Sequence, residues 1–291
     1  MKNHYQIANL SINVEGAGLS RVSGFLPFEA EGIAPVSGLP VALSWKESEP
    51  LRRLTVEPLY RFDYPAGNAL CSFAKDGDAW IFEMAHHDSS FTVRLLPCTQ
   101  NRTFTALTNM DGSTPKHFLT FGFWVAFGIA ALHHQAVPVH SSTVLHEGKA
   151  LLFLGESGTG KSTQSQLWLR HVPGTELLND DSPVLRIMPD GEIRAFGFPL
   201  SGKTPCYKNK SAPVAAIVRL SQAPRNRITR LQGINAFCAL LPSCPPLFRY
   251  EPALAAKING MVTAVVKEIP AYHFECTPGT EAALTVLDSI R

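Results

Sequence analysis

Apolar and polar positions alternate in short runs over the first 112 residues, and the period lengthens only near Lys116. The alternation predicts strands over 5–14, 51–60, 70–74, 79–84 and 91–96, with Asp76-Gly77-Asp78 as a turn signal. Gly and Pro punctuate 16–50. Beyond Lys116 the two periods mix. Helices are predicted over 116–134, 162–171, 232–241, 252–267 and 279–290. Strands are predicted over 139–145, 150–154, 215–220 and 272–276, with another ending at Leu177-Leu178. Segments 184–188 and 192–198 read as a hairpin around Pro189-Asp190-Gly191. The pattern therefore predicts a mixed α/β chain, with a β-rich domain or extension over 1–112 and an α/β domain over 113–291.

The longest apolar run, FLTFGFWVAFGIAAL at 118–132, carries no charge. It is shorter than the ~20 residues a membrane-spanning helix needs. Lys116-His117 and His133-His134 flank it, so it reads as a buried core helix.

Composition narrows the class. With 45% hydrophobic and 17% charged residues, the chain can bury a large core and is not disordered. The net charge of +2 argues against nucleic-acid binding by bulk charge. The charge is uneven, because no acidic residue occurs between Glu192 and Glu251 while nine basic ones do. Such a stretch is either a solvated face or a surface toward phosphates or an acidic partner. The start, MKNHYQIANLSINVEG, has no continuous apolar run, so no signal peptide is expected. The six cysteines are scattered without a C-x-x-C pair, which fits reduced cytoplasmic thiols better than disulfides or zinc. His86-His87 and His133-His134 lack zinc-ligand spacing.

The segment that carries chemistry is Gly155-Glu156-Ser157-Gly158-Thr159-Gly160-Lys161-Ser162, followed by Thr163. It matches G-x-x-x-x-G-K-[ST], with an apolar strand before it and a helix after it. Glycines allow the backbone to curl around an anion, and successive N–H groups point inward beside a helix N-terminus. Lys161 would reach the β- and γ-phosphates, and the Ser162 hydroxyl would ligate Mg²⁺. Asp180-Asp181 in ELLNDDSPVL offers one carboxylate for a metal and one for a proton. His140 in VHSSTVL precedes the loop by 15 residues. Lys203, in the tetrad SGKT, is a candidate phosphate contact.

The run HSSTVLHEGKALLFLGESGTGKST, then ELLNDD, resembles the C-terminal catalytic domain of the HPr kinase/phosphorylase family. That family shares its fold with ATP-dependent phosphoenolpyruvate carboxykinase. The ending YHFECTPGTEAAL looks like the tail of bacterial homologues of that domain. The resemblance covers 113–291 and implies a carboxykinase-like P-loop core that binds ATP, or pyrophosphate, with Mg²⁺. It implies phosphoryl transfer to a hydroxyl on a protein, peptide or small molecule. Carried over residue by residue, Asp180 is the base, Asp181 and Ser162 hold the metal, and His140 and Lys161 complete the catalytic set. Relatives with this core often form oligomers. Two departures stand out. Residues 1–112 do not look like the family's usual N-terminal domain, and AFGFPLSGKTPCYKNK replaces its glycine-rich signature. HPr is therefore not the expected acceptor. A nucleotide switch without transfer and a carboxykinase-like enzyme are the alternatives; neither nucleic acid nor membrane is an expected partner.

Overall fold

A two-residue turn at Ala8-Asn9, both with positive φ, folds the first apolar stretch back on itself. In the computed structural model, which describes residues 2–30, 39–47, 54–98, 102–202 and 204–290, the expected strand over 5–14 is thus a hairpin. Its strands are β1 (Lys2–Ile7) and β2 (Leu10–Glu15). Then follow β3 (Val41–Glu47), β4 (Tyr60–Tyr64), β5 (Ala69–Asp76), β6 (Ala79–His86), β7 (Ser89–Cys98) and β8 (Thr103–Thr108). They form one sheet in the order β1-β2-β3-β8-β7-β6-β5-β4. Neighbours are antiparallel except at β2/β3 and β3/β8. The expected strand over 51–60 is corrected: residues 51–53 lie outside the described residues, and 54–59, interrupted by Pro58, form no strand.

Helix α1 (Lys116–Leu132) covers this sheet and is apolar almost all round, burying Phe118, Leu119, Phe123 and Phe127 among others. Phe123 meets Phe25 edge-on at 4.9 Å, and Phe25 meets Tyr5 at 5.2 Å. Burial of each such ring contributes about 2–3 kcal/mol. Gly122 is where Met110 fits, since an added Cβ would stand 2.7 Å from its Cε. No helix among the described residues is long and apolar enough to cross a membrane.

The chain divides into two compact units, 1–134 with 247–255 and 135–246 with 256–291. This differs from a boundary at 112/113. Helix α1 belongs with the first sheet because its apolar surface is buried there. Segment 247–255 belongs there too: Phe248 is fully buried near Phe73 and Trp124, and Tyr250 stacks on Tyr60 at 4.0 Å.

The second unit contains β9 (Ala136–Pro138), β10 (Ser141–His146), β11 (Lys149–Leu154), α2 (Lys161–His171) and β12 (Glu176–Asp181). Next come β13 (Val184–Ile187), β14 (Ile193–Phe196), β15 (Ser211–Gln222), β16 (Arg227–Leu231) and α3 (Gly233–Leu240). The last elements are α4 (Pro252–Glu268), which starts among residues of the first unit, β17 (Ala271–Cys276) and α5 (Glu281–Ile290). The expected hairpin at 184–198 is β13–β14. The expected strand over 139–145 begins only at Ser141, as β10, with Val139-His140 separating it from β9. The sheet order is β12-β10-β11-β15-β14-β13-β9, with β17 beside β15 and β16 at the edge. Strand β15 pairs with β14 through its first residues and with β11 and β17, both parallel, through the rest. A core of Phe153, Trp168, Val218, Phe274 and Val286 joins the sheet to α2 and α5.

Candidate functional site

Strands β11, β15 and β17 are parallel, and β12 lies antiparallel to β10, which is antiparallel to β11. The C-terminal ends of β11, β12, β15 and β17 therefore share one edge of the sheet. In open α/β sheets that edge is where ligands bind. It carries every described residue that the sequence singles out for chemistry; Lys203 lies outside the described residues.

The loop 155–160 joins β11 to α2. Gly155, Gly158 and Gly160 have φ of +148°, +83° and +104°, which other residues adopt only under strain. At Gly155 an added Cβ would also strike the Thr159 hydroxyl. Glu156, Ser157 and Gly158 are exposed, as are Ser162 and Thr163 in the first turn of α2. Thr159 donates its hydroxyl back to the Glu156 carbonyl at 2.9 Å. Lys161 Nζ donates to the carbonyls of Gly155 and Glu156 at 2.9 and 3.1 Å. Burial lowers its ammonium pKa, opposed by the charges of Asp181, Glu156 and Asp180.

Strand β15 buttresses this loop. Arg219 Nη2 reaches Glu156 Oε1 at 3.0 Å, and Gln222 Nε2 donates to the Gly158 carbonyl at 2.9 Å. A cleft of 510 Å³ opens beside the loop, lined in part by Thr163, Gln164, Gln222 and Cys276.

Asp180 and Asp181 sit within β12 itself, where the sequence expects the strand to have ended at Leu178. Alternation along the strand sends the two carboxylates different ways. Asp180 is buried and accepts from the Ser142 hydroxyl at 2.6 Å. The Ser142 oxygen lies 2.6 Å from Ser165 Oγ of α2. A hydroxyl has one proton to give. The chain therefore runs from Ser165 through Ser142 to Asp180. The second carboxylate oxygen, Oδ2, is buried with no hydrogen-bond partner among the described residues.

Asp181 is half exposed. Its Oδ1 stands 3.5 Å from His140 Nδ1, and its Oδ2 accepts from Ser182 Oγ at 2.9 Å. Burial pushes its carboxyl up. Hydrogen bonding from His140 and Ser182, with the charges of His140 and Lys161, outweighs burial and holds it below the ordinary value.

Sequence reasoning missed three residues that build this corner. Asn179 is fully buried and donates to the carbonyls of Phe198, Leu200 and Cys206. Its Oδ1 accepts from the backbone N–H groups of Asp181 and Ser182. It thus ties Phe198, Leu200 and Cys206 to the strand that carries the paired aspartates. Gly202 in that segment comes so close that a Cβ would stand 2.6 Å from the Asp180 carbonyl. Ser142 and Ser165 are the other two. The signal available was polar residues inside otherwise apolar strand and helix faces.

The acid-free stretch is not one surface. Lys208 and Lys210 pair with Glu176, Arg194 with Glu192, and Arg219 with Glu156.

The donor set suits a hard cation. No group of three His, Cys, Asp or Glu side chains among the described residues could hold a metal by itself. Mg²⁺ commonly takes one or two protein oxygens and fills its octahedron with phosphate and water oxygens, and Ser162 and Asp181 are oxygen donors of that kind.

No family model matches the chain, and no curated protein is significantly similar to it.

Proposed function

We propose that the second unit binds ATP with Mg²⁺ and transfers the γ-phosphoryl group to a hydroxyl of a protein, peptide or small molecule. The core would be carboxykinase-like, as the resemblance to HPr kinase/phosphorylase implies. One observation carries the reading: a three-glycine loop ending in Lys161 shares a sheet edge with Asp180, Asp181 and His140. Backbone N–H groups of 156–161 and the N-terminus of α2 hold the phosphates. Lys161 exchanges its carbonyl partners for phosphate oxygens. Ser162 and Asp181 hold Mg²⁺, which neutralises charge on the phosphates. The depressed pKa of Asp181 suits a ligand that must stay anionic.

Asp180 takes the acceptor's proton as its oxygen attacks the γ-phosphorus and ADP leaves. Ser142 aligns this carboxylate and leaves its second oxygen without a hydrogen-bond partner among the described residues. One observation favours exchanged roles. Ser165 lies one turn from Ser162 on the same face of α2, so the serine chain brings Asp180 to the face that carries Ser162.

Calorimetric titration with Mg·ATP and single-turnover transfer from labelled ATP test the proposal. Lys161→Ala should lose binding heat. Asp180→Asn should keep Mg·ATP affinity and lose about 10²–10⁴ in transfer rate, whereas Asp181→Asn should weaken metal-dependent binding. Opposite phenotypes would exchange the two roles. Wild-type binding without transfer to any hydroxyl acceptor would leave a nucleotide switch. Equal ATP affinity in wild type and Lys161→Ala would remove the loop from the function.

A further inference from the structure

At the far side of the second sheet, β16 hydrogen-bonds only to β17 among the described residues. Its other edge carries no strand pairing among the described residues and is a template for another strand. Register with β17 sets Arg227 opposite Glu275, Thr229 opposite His273 and Arg230 opposite Tyr272. Arg227 and Arg230 are an odd number of residues apart, so their side chains leave on opposite faces of the strand. Both are exposed, as is Arg225 just before the strand. None of the three arginines forms an ion pair among the described residues, although the other basic side chains of β14, β15 and the 208–210 segment do.

Beside the end of β16 lies a groove of 620 Å³, between the start of α3 and the last turn of α4. Ile234 projects there with 70% of its surface exposed, more than any other large apolar side chain described. Phe237 and Val266 line the groove with Ile234, and its charged lining is Arg230 and Lys267 with one carboxylate, Glu268. Arginines alone would be a device that keeps a sheet edge from pairing. A groove beside the end of that strand with exposed Ile234 and Phe237 in its lining is not part of such a device, because it invites the contact the charges would repel.

We infer that β16 and this groove receive an extended acidic peptide segment from another protein. The segment adds as a strand on the free edge of β16. Its carboxylates face Arg227 and Arg230, and one apolar side chain enters the groove beside Ile234 and Phe237. Main-chain hydrogen bonds supply affinity and the side chains supply selectivity, as in other strand-addition complexes. A second copy of this chain fits less well, since it would bring the same unpaired arginines together. A nucleic acid would answer the charge but neither the strand edge nor the groove. The inference does not depend on the nucleotide reading.

The test is selection of random dodecapeptides displayed on phage against the immobilised full chain. Fluorescence anisotropy of the selected peptides and hydrogen exchange of the complex follow. Selected sequences should carry Asp or Glu an odd number of positions apart, so that carboxylates leave on both faces of the extended segment, together with one apolar residue, and their binding should weaken about tenfold at high salt. The double change Arg227→Glu/Arg230→Glu should cost tenfold or more, and Ile234→Ser should weaken binding separately. Exchange should slow at the amides of β16. The wild-type salt and exchange results need no variant, so a variant that fails to fold does not rescue the idea. Selection without acidic enrichment overturns it. So does protection confined to β9 or β12, an oligomer formed through β16, or competition by oligothymidylate but not by acidic peptides.

Discussion

His140 Nδ1 stands 3.5 Å from Asp181 Oδ1, joining the residue before β10 to the last residue of β12. The contact makes the ionisation of Asp181 depend on a side chain the loop does not supply. Asp181 has a depressed folded pKa, so the function it serves is intact above that value and lost as pH falls through it. If the proposed transfer is right, His140→Ala should move the acid limb of its pH–rate profile upward and leave the rate near neutral pH little changed, because Asp181 stays ionised there either way. Carboxyl ¹³C titration of Asp181 reads the same shift directly. An unmoved titration would leave His140 with a structural role only.

Asn179→Ala should be costly. Three carbonyls and two N–H groups lose a buried partner. A loss of about 2–4 kcal/mol is expected from denaturant unfolding. Hydrogen exchange should quicken in segment 198–206 before it does elsewhere. A loss under about 0.5 kcal/mol would mean that water replaces the amide at no penalty.

Glu251 offers a pH test of stability in the first unit. It is nearly fully buried, accepts from the Leu254 N–H at 2.8 Å at the start of α4, and pairs with Lys75 at 2.8 Å. Burial pushes its carboxyl up, but Lys75 and the helix N–H groups hold it below the ordinary value. A carboxylate with a depressed folded pKa stabilises above its unfolded value and loses that contribution as pH falls through the folded one. Lys75→Met should therefore cost about 1–2 kcal/mol at neutral pH, discounted for the partial exposure of Lys75. The cost should shrink as pH drops below the ordinary carboxylate range. Urea midpoints across pH decide it, and a pH-independent difference would assign the loss to packing alone.

Thiol chemistry checks the burial pattern in both units. Cys98 and Cys238 are exposed, whereas Cys71, Cys206, Cys244 and Cys276 are buried. Burial pushes the Cys71 thiol up to about 12 and raises Cys206 and Cys276 as well. Ellman's reagent should titrate two thiols quickly in the native protein and the other four only on unfolding. Fast labelling of Cys276 would mean that the cleft beside the loop opens readily.

What the chain revealed in advance was what short-range chemistry dictates. Glycine spacing specifies the 155–160 loop because backbone freedom is a property of single residues. Helix α1 was legible from an uninterrupted apolar run. The Ser165–Ser142–Asp180 chain was not, because it joins side chains 23 and 38 residues apart whose meeting depends on the sheet. Asn179 was invisible for the same reason. The Ala8-Asn9 turn lacks the glycine that marks most tight hairpins, so two strands read as one. Strand β16 went unnoticed because RITRL, an edge with three exposed residues, shows no apolar alternation.

Strand β15 binds three neighbours at once, two of them through strands whose residues lie far away in the chain. On a ribosome, residues 155–160 emerge more than a hundred positions before β17. Until β15 and β17 follow, Gly158 lacks Gln222, Glu156 lacks Arg219, and Trp168 lacks much of its core. The nascent chain therefore carries an unbuttressed loop from the time Gly160 is made until β15 and then β17 follow. On the proposed function, nucleotide capture should come late and abruptly, with closure of the sheet, rather than growing with chain length.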